Sequence, residues 1–233
     1  MPRLLDLFCG GGGAAMGYYR AGFEVVGVDH LPQRHYPFEF HCADAMTFPL
    51  DGFDAIHASP PCQAWTHAKH MGNRGRTDHP RLIASTRARL LAWGGLYVIE
   101  NVEDAKAELI SPVALCGSSL GLPDIERHRY FESNVALMVP PCAHGLRGRA
   151  RFPGTPRANG SRPLSRVANP MASGISHDVF ATAIGIDWMP GSGFRPTQEL
   201  RNAIPPAYTE FIGARLLEEI SAIPLDGDTR HTR

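Results

Sequence analysis

The 233-residue sequence predicts an α/β protein, a doubly wound and mostly parallel sheet joined to a small loop-rich lobe. Three observations carry that prediction. Strand-like and helix-like patterns alternate through residues 1–133, the rhythm of a parallel sheet covered by helices. A strand running into a glycine turn and a helix opens the chain at Asp6-Leu7-Phe8-Cys9-Gly10-Gly11-Gly12-Gly13. Regular patterning dissolves between Asn134 and about His177, where six prolines and five glycines punctuate the chain, and then returns.

Taken in order, the strands are expected at Leu4–Phe8, Glu24–Asp29, Phe53–Ala58 and Leu96–Glu100, each a short apolar run closed by a turn or a polar residue. Between the last two, Pro80 to Trp93 reads as a helix, with Asp78 or His79 near its cap and Gly94-Gly95 as its stop. Order resumes at Val179–Met189. Pro206 to Ile220 forms an amphipathic helix whose apolar face holds Tyr208, Phe211, Ile212, Leu216 and Ile220. The segment after Pro224 is polar and expected to fray.

With 43% hydrophobic and 20% charged residues, the chain has the material for a core and is not a disordered segment. No run approaches the roughly 20 apolar residues of a membrane span, and Met1-Pro2-Arg3 leads into the first strand without a leader pattern. A soluble, cytoplasmic protein is expected. Five cysteines, an odd number without CxxC spacing, argue against both a disulfide framework and a structural zinc site.

The formal charge of zero hides an uneven distribution. Residues 1–133 carry 12 basic and 15 acidic side chains, residues 134–178 carry 6 arginines against Asp178 alone, and residues 179–233 carry 5 basic and 7 acidic. A local arginine-rich stretch on a neutral protein has the form of a nucleic-acid contact surface, although a solvated loop has the same composition.

Three places carry chemistry. Gly10, Gly12 and Ala15 fit G-x-G-x-x-A, and Asp29 follows 19 residues after Gly10 at the end of the next strand. That pattern suits a nucleoside-containing cofactor, with glycines admitting close approach and the acid accepting from ribose hydroxyls. Ala58-Ser59-Pro60-Pro61-Cys62-Gln63 leaves the third strand at its carboxyl end, where two prolines stiffen the loop and aim a thiol at the cofactor side. A buried structural cysteine is the ordinary alternative. Tyr97-Val98-Ile99-Glu100-Asn101-Val102 closes another buried run with a carboxylate that packing does not explain, placed to face the same crevice, a helix cap or surface salt bridge being the ordinary alternative. Partly desolvated, it would hold a raised pKa and donate a proton.

On these motifs the sequence resembles the C5-cytosine-specific DNA methyltransferase family, in the manner of a small, phage-like member. Asp6-Leu7-Phe8-x-Gly10-x-Gly12-Gly13 looks like that family's S-adenosylmethionine loop, Pro60-Pro61-Cys62-Gln63 its nucleophile loop and Glu100-Asn101-Val102 its acid motif. Arg127-His128-Arg129 resembles the end of its arginine motif, and Asn202-Ala203-Ile204-Pro205-Pro206 its C-terminal motif. The order along the chain is the family's. The resemblance implies a Rossmann-like S-adenosylmethionine-dependent methyltransferase fold and a DNA cytosine C5-methyltransferase using base flipping. In that reading Cys62 adds to cytosine C6, Glu100 hydrogen-bonds N3 and the exocyclic amine, and Arg127 and Arg129 orient the base.

For the cofactor the resemblance places Phe8 against adenine, Gly10, Gly11, Gly12 and Gly13 around the methionine part, Asp29 on the ribose and Asp44 near the adenine amine. His30 would either stack on adenine or stand exposed, Pro61 would abut the cofactor, and Asn202 and Ala203 would close the site. No metal is required. Two departures stand out: Ile125 where the family has glutamine, and Arg201 where it has glycine, an arginine that is either simply exposed or a cation near the cofactor's carboxylate end.

The organisation implied is a catalytic, cofactor-binding domain over 1–133, a minimal target-recognition region over 134–178, a returning segment over 179–222 and a polar tail over 223–233. Gln63 together with Arg147, Arg149, Arg151, Arg157, Arg162 and Arg166 would contact double-stranded DNA, and a monomer is expected. Pro140-Pro141-Cys142 repeats the nucleophile tripeptide but follows no strand end, and Cys142 with His144 gives two metal ligands, short of a site. The rival readings are an RNA cytosine C5-methyltransferase of the same fold, an amino-methyltransferase (against which Cys62 argues), a catalytically inactive DNA-binding relative, and a dehydrogenase resting on the glycine loop alone.

Overall fold

Seven strands form one mixed sheet in the order β3-β2-β1-β4-β5-β7-β6 in this computed structural model. The structure describes residues 1–66, 80–123, 125–143, 152–153, 164–165, 175–191 and 195–222. The strands are β1 (Arg3–Leu7), β2 (Glu24–Asp29), β3 (Glu39–Cys42), β4 (Ala55–Ala58), β5 (Leu96–Asn101), β6 (Val113–Cys116) and β7 (His128–Ser133). The pairs β1–β2, β1–β4, β2–β3 and β4–β5 are parallel, whereas β7 runs against both β5 and β6. The strand order reverses direction at β1, between β2 and β4. In an open sheet of this kind the crevice at such a reversal, beyond the carboxyl ends of the strands, is where ligands bind.

Both faces of the sheet are covered. Leu4, Val25, Ala55, Val98 and Phe131 point to one face, beneath helices α1 (Gly13–Ala21) and α6 (Pro206–Ala222). Leu5, Val26, Ile56 and Ile99, one residue out of phase, point to the other, packed with the short α2 (Gln63–Thr66) and α3 (Ile83–Trp93). That explains why the central strands are apolar on both faces apart from Asp6, His57 and the Glu100-Asn101 end of β5. A third cluster joins Ile125 to α4 (His177–Ile184) and α5 (Gln198–Asn202) through Phe180, Ile184, Met189 and Leu200.

The C-terminal helix returns to the start of the chain. A Cβ on Gly17 would lie 2.1 Å from Thr209 Oγ1 and 2.2 Å from the Pro206 carbonyl, so α1 and α6 touch backbone to backbone. Thr209 Oγ1 donates to the Ala14 carbonyl at 2.8 Å across that contact. Of the expected apolar face, Tyr208, Ile212 and Leu216 are fully buried, and Phe211 and Ile220 pack at its margin.

The elements differ from the sequence reading at their edges. The helix expected from Pro80 begins at Ile83, and Asp78 and His79 lie outside the described residues; its stop is as expected, with Gly94 left-handed at φ +84° and its N–H on the Leu90 carbonyl. Strand β4 starts two residues later than the apolar pattern, because Asp54 instead pairs with the backbone of Arg3. Strands β3, β6 and β7 were not foreseen. β3 is a largely exposed edge strand with no apolar run, and β7 carries His128 and Arg129 into the sheet.

Candidate active site

The loop after β1 is shaped by what surrounds it. Phe8, Gly10 and Gly12 take left-handed φ values of +59°, +50° and +84°. For the non-glycine Phe8 this is a strained conformation, of the sort that persists where the surroundings over-determine it. A Cβ on Gly10 would meet no atom within 4 Å, so this glycine faces open space and leaves its backbone accessible to a ligand. Gly13 is the opposite case, because a Cβ there would lie 2.4 Å from the Ile204 carbonyl. The C-terminal segment thus clamps the outer side of the loop, and Trp188 Nε1 adds a hydrogen bond to the Gly11 carbonyl at 2.9 Å.

Beneath the loop lies Asp6, which is 1% exposed and has no well-formed hydrogen bond at either carboxylate oxygen. Burial, with Asp29 and Glu100 adding negative potential, pushes its carboxyl well above the ordinary range; the Ala15 amide opposes the shift without closing a bond of normal geometry. A buried acid with unmet hydrogen-bonding capacity on the wall of a cleft suits a cationic ligand. Asp29, by contrast, accepts from the Gly10 amide at 3.1 Å and the Leu31 amide at 3.0 Å, with His30 Nδ1 3.2 Å away. A carboxylate has roughly four acceptor positions, so these contacts leave Asp29 able to take a ribose hydroxyl.

Across the crevice, β4 ends at Ala58 and the Ser59–Cys62 loop follows. Ser59 N–H donates to the Leu7 carbonyl at 3.1 Å, and Asn101 Nδ2 at the end of β5 donates to the Pro60 carbonyl at 2.9 Å. The loop is therefore held from both neighbouring strands. Cys62 is partly buried and belongs to no disulfide. Burial and then the Glu100 charge push its thiol up, whereas Arg129 and Arg127 pull it down. The thiol rests protonated, with two cations positioned to favour its ionisation.

Glu100 is buried and faces the same cleft. Burial raises its pKa, opposed first by Arg129, then by a hydrogen bond from Ser59, then by Arg127. Arg129 Nε lies 2.9 Å from Glu100 Oε1 without its N–H pointing at that oxygen, so the contact is ionic and the oxygen keeps capacity for another donor. Behind Ser59 runs a buried chain. Ser59 Oγ is 2.9 Å from His57 Nε2, and His57 Nδ1 is 2.9 Å from the Tyr18 hydroxyl. Burial holds His57 neutral, with its pKa lowered to about 3. If Ser59 donates to the carboxylate, it must accept from His57 Nε2–H, which makes Nδ1 the acceptor of the Tyr18 proton. Each donor then points toward Glu100.

The two arginines of the β7 motif divide their work. Arg129 lines the cleft. Arg127 is not among the cleft-lining residues: Nη1 donates to the Ala203 carbonyl at 2.9 Å and Nη2 to the Arg201 carbonyl at 2.8 Å, and the Tyr208 hydroxyl donates to the Arg127 carbonyl. Burial and the nearby Arg129 lower its guanidinium to about 9, still charged at neutral pH.

The cleft measures about 320 Å³ and brings together Phe8, the glycine loop, Asp29, His30, Pro61, Cys62, Gln63, Glu100, Arg129, Asn202 and Ala203. Gly12 sits behind its wall, packed on Tyr36 and Pro37. Asp44 does not line the cleft; it is exposed and caps a turn by accepting from the Met46 amide at 2.8 Å. Arg201 also stays out of the cleft, donating to Gln198 Oε1 at 2.8 Å. Ile125 is fully buried in the third apolar cluster, which accounts for an aliphatic side chain at that position. Arg147, Arg149, Arg151, Arg157, Arg162 and Arg166 lie outside the described residues, as does His144. Four side chains of the site fall outside the sequence-predicted set: Asp6 and Ser59 stand inside its motifs, whereas His57 and Glu199 carry no local signal, the latter lining the cleft from α5.

A sheet in this order, with one reversed strand and a glycine loop after β1, is the Rossmann-like fold of S-adenosylmethionine-dependent methyltransferases. No protein-family model matches the sequence, nor does any curated protein. Among solved structures the chain is similar to one assigned as a DNA modification methyltransferase encoded within an E. coli prophage, with TM-score 0.61, 14% identity, and coverage of 95% of this chain and 99% of that one. It is similar to the Entamoeba histolytica methyltransferase EhMeth at TM-score 0.60 and to the S. pombe Dnmt2 methyltransferase at 0.55, each at 14% identity over 94% of this chain and 99% of the other. At that identity the likeness establishes the fold.

Proposed function

We propose that the protein is an S-adenosylmethionine-dependent DNA cytosine C5-methyltransferase. The observation that carries the reading is the convergence of Cys62 from the end of β4 and Glu100 from β5 on one cleft beside the glycine loop, with Arg129 against the carboxylate. The chain's residues fit the cofactor. Gly10 leaves open space for close approach, Asp6 supplies a buried acid toward a molecule bearing sulfonium and ammonium charges, and Asp29 stands where a ribose would be held. When bound, S-adenosylmethionine supplies an electrophilic methyl group.

Cytosine C5 is a weak nucleophile, and the protein's task is to make it a stronger one. Cys62 gives up its thiol proton to water, the thiolate being favoured by Arg129 and Arg127, and adds to C6, forming a sulfur–carbon bond that moves electron density toward C5. Glu100 hydrogen-bonds N3 and the exocyclic amine, and its raised pKa lets it share a proton with N3 as charge develops there. Once C5 carries the methyl group, its proton passes to water, the C5–C6 double bond re-forms, the sulfur–carbon bond breaks and Cys62 leaves as the thiolate. Reaching both faces of the base requires the cytosine to leave the stack. The arginine-rich stretch within residues 134–178 would supply phosphate contacts and a guanine contact or two, consistent with a short recognition sequence.

Transfer of labelled methyl groups to duplex DNA and to transfer RNA tests the assignment. DNA labelling that is abolished by Cys62→Ala is expected. Labelling confined to RNA would move the substrate to the other polymer, and labelling that survives Cys62→Ala would remove the mechanism.

A further inference from the structure

Away from the cleft, three metal-ligating side chains converge from separate parts of the chain. Cys116 at the end of β6 and His128 at the start of β7 are directly opposed in the antiparallel ladder, which puts their side chains on one face at close range. Cys142 reaches the same spot from the segment after the sheet, with its Sγ 3.3 Å from His128 Nε2. The three ligand atoms all lie within 4.8 Å of one another. Zn–S bonds of about 2.3 Å and Zn–N bonds of about 2.0 Å in a tetrahedron place two sulfurs about 3.8 Å apart and a sulfur and a nitrogen about 3.5 Å apart. The 3.3 Å between His128 Nε2 and Cys142 Sγ is close to that sulfur–nitrogen value, and the 4.8 Å limit keeps all three atoms within reach of one ion.

We propose that Cys116, His128 and Cys142 form a metal site for a borderline-soft divalent ion, zinc by class, with a fourth position taken by water. Two thiolates and an imidazole select zinc over hard, oxygen-seeking cations, and binding releases the two thiol protons to solvent. The surroundings are already organised: Ser118 Oγ lies 3.2 Å from Cys116 Sγ and accepts from the Ala143 amide at 3.2 Å, tying the backbone next to Cys142 to the same corner. The ion would staple the chain, just before the arginine-rich stretch begins at Arg147, to the strand that carries Arg129 into the cleft. Its role is structural and separate from the methyl-transfer chemistry. Ligands 12 and 14 residues apart escape any scan for CxxC pairs.

Cobalt titration of the full chain, reduced and freed of metal with a chelator, tests the site. One equivalent per chain is expected to give the visible bands of tetrahedral cobalt and a thiolate-to-cobalt charge-transfer band, both removed by zinc. Replacing buried Cys116 endangers the fold, so the exposed Cys142 carries the test. Cys142→Ala should weaken cobalt binding at least tenfold while circular dichroism shows a folded protein, and Cys42→Ala should bind as the parent does. No charge-transfer band, a band unchanged in Cys142→Ala, or a Cys116–Cys142 disulfide with no cobalt binding after reduction would each overturn the proposal.

Discussion

Replacing Arg127 with methionine separates two roles for that side chain, orienting a base directly or bracing the wall of the site. Its two guanidinium nitrogens hold the Ala203 and Arg201 carbonyls at 2.9 and 2.8 Å, and Ala203 and Ile204 in turn press on the glycine loop at Gly13. Hydrogen bonds from a charged donor contribute roughly 1.5 to 3 kcal/mol each, so the pair contributes about 3 to 6 kcal/mol before the cost of burying a cation is set against it. Because Arg127→Met also relieves that burial cost, a net loss of about 3 kcal/mol is expected. Urea unfolding reads the loss, and hydrogen exchange locates it: amides of residues 198–206 should exchange faster, and cofactor affinity should fall with them. Arg127→Lys should recover only part, since an ammonium lacks the planar fork that spans two carbonyls. A loss below about 1 kcal/mol with unchanged exchange in that segment would refute the bracing role.

Two further outcomes follow from the buried acids. The carboxyl of Asp6 is raised by burial, so the folded state is penalised as pH rises above the ordinary carboxylate range of about 4 and the unfolded chain sheds its proton first. Asp6→Asn should match the parent near pH 4, exceed it in denaturant midpoint at pH 8, and bind the cationic cofactor more weakly; a midpoint gain that fails to grow with pH would contradict this. Ser59 lowers the pKa of Glu100, so Ser59→Ala should move the limb of the pH–rate profile that Glu100→Gln abolishes to higher pH. An unmoved limb would mean that the Ser59 hydroxyl does not act on the carboxylate.

The parts of the molecule that were legible in the sequence are those where local chemistry and the fold agree. The largely apolar β1 and β5 read as strands, Gly94 reads as a helix stop, and the thiol behind two prolines at a strand end lies on the wall of the cleft. β3 escaped notice because an exposed edge strand needs only a hydrogen-bonded neighbour, here β2, and leaves no apolar signature. Asp44 illustrates a second limit: its position in the motif order suited a cofactor contact, yet its side chain is spent on a turn, as aspartate's competition for nearby backbone allows. Arg127 and Arg129 are identical in type and two residues apart, and only the returning α5–α6 segment decides that one braces the wall while the other meets Glu100. The Tyr18–His57–Ser59 chain joins α1 to β4, and no spacing rule would find it.

The central claim is a covalent bond between Cys62 and a cytosine ring. Incubating the protein with S-adenosylmethionine and DNA containing 5-fluorocytosine tests it most directly, because fluorine at C5 blocks the last elimination and leaves the adduct in place. A denaturant-resistant protein–DNA complex, mapped by peptide mass to Cys62 and absent in Cys62→Ala, is expected. An adduct that persists in Cys62→Ala, or DNA that is methylated with no trapped complex on the fluorinated base, would contradict the account.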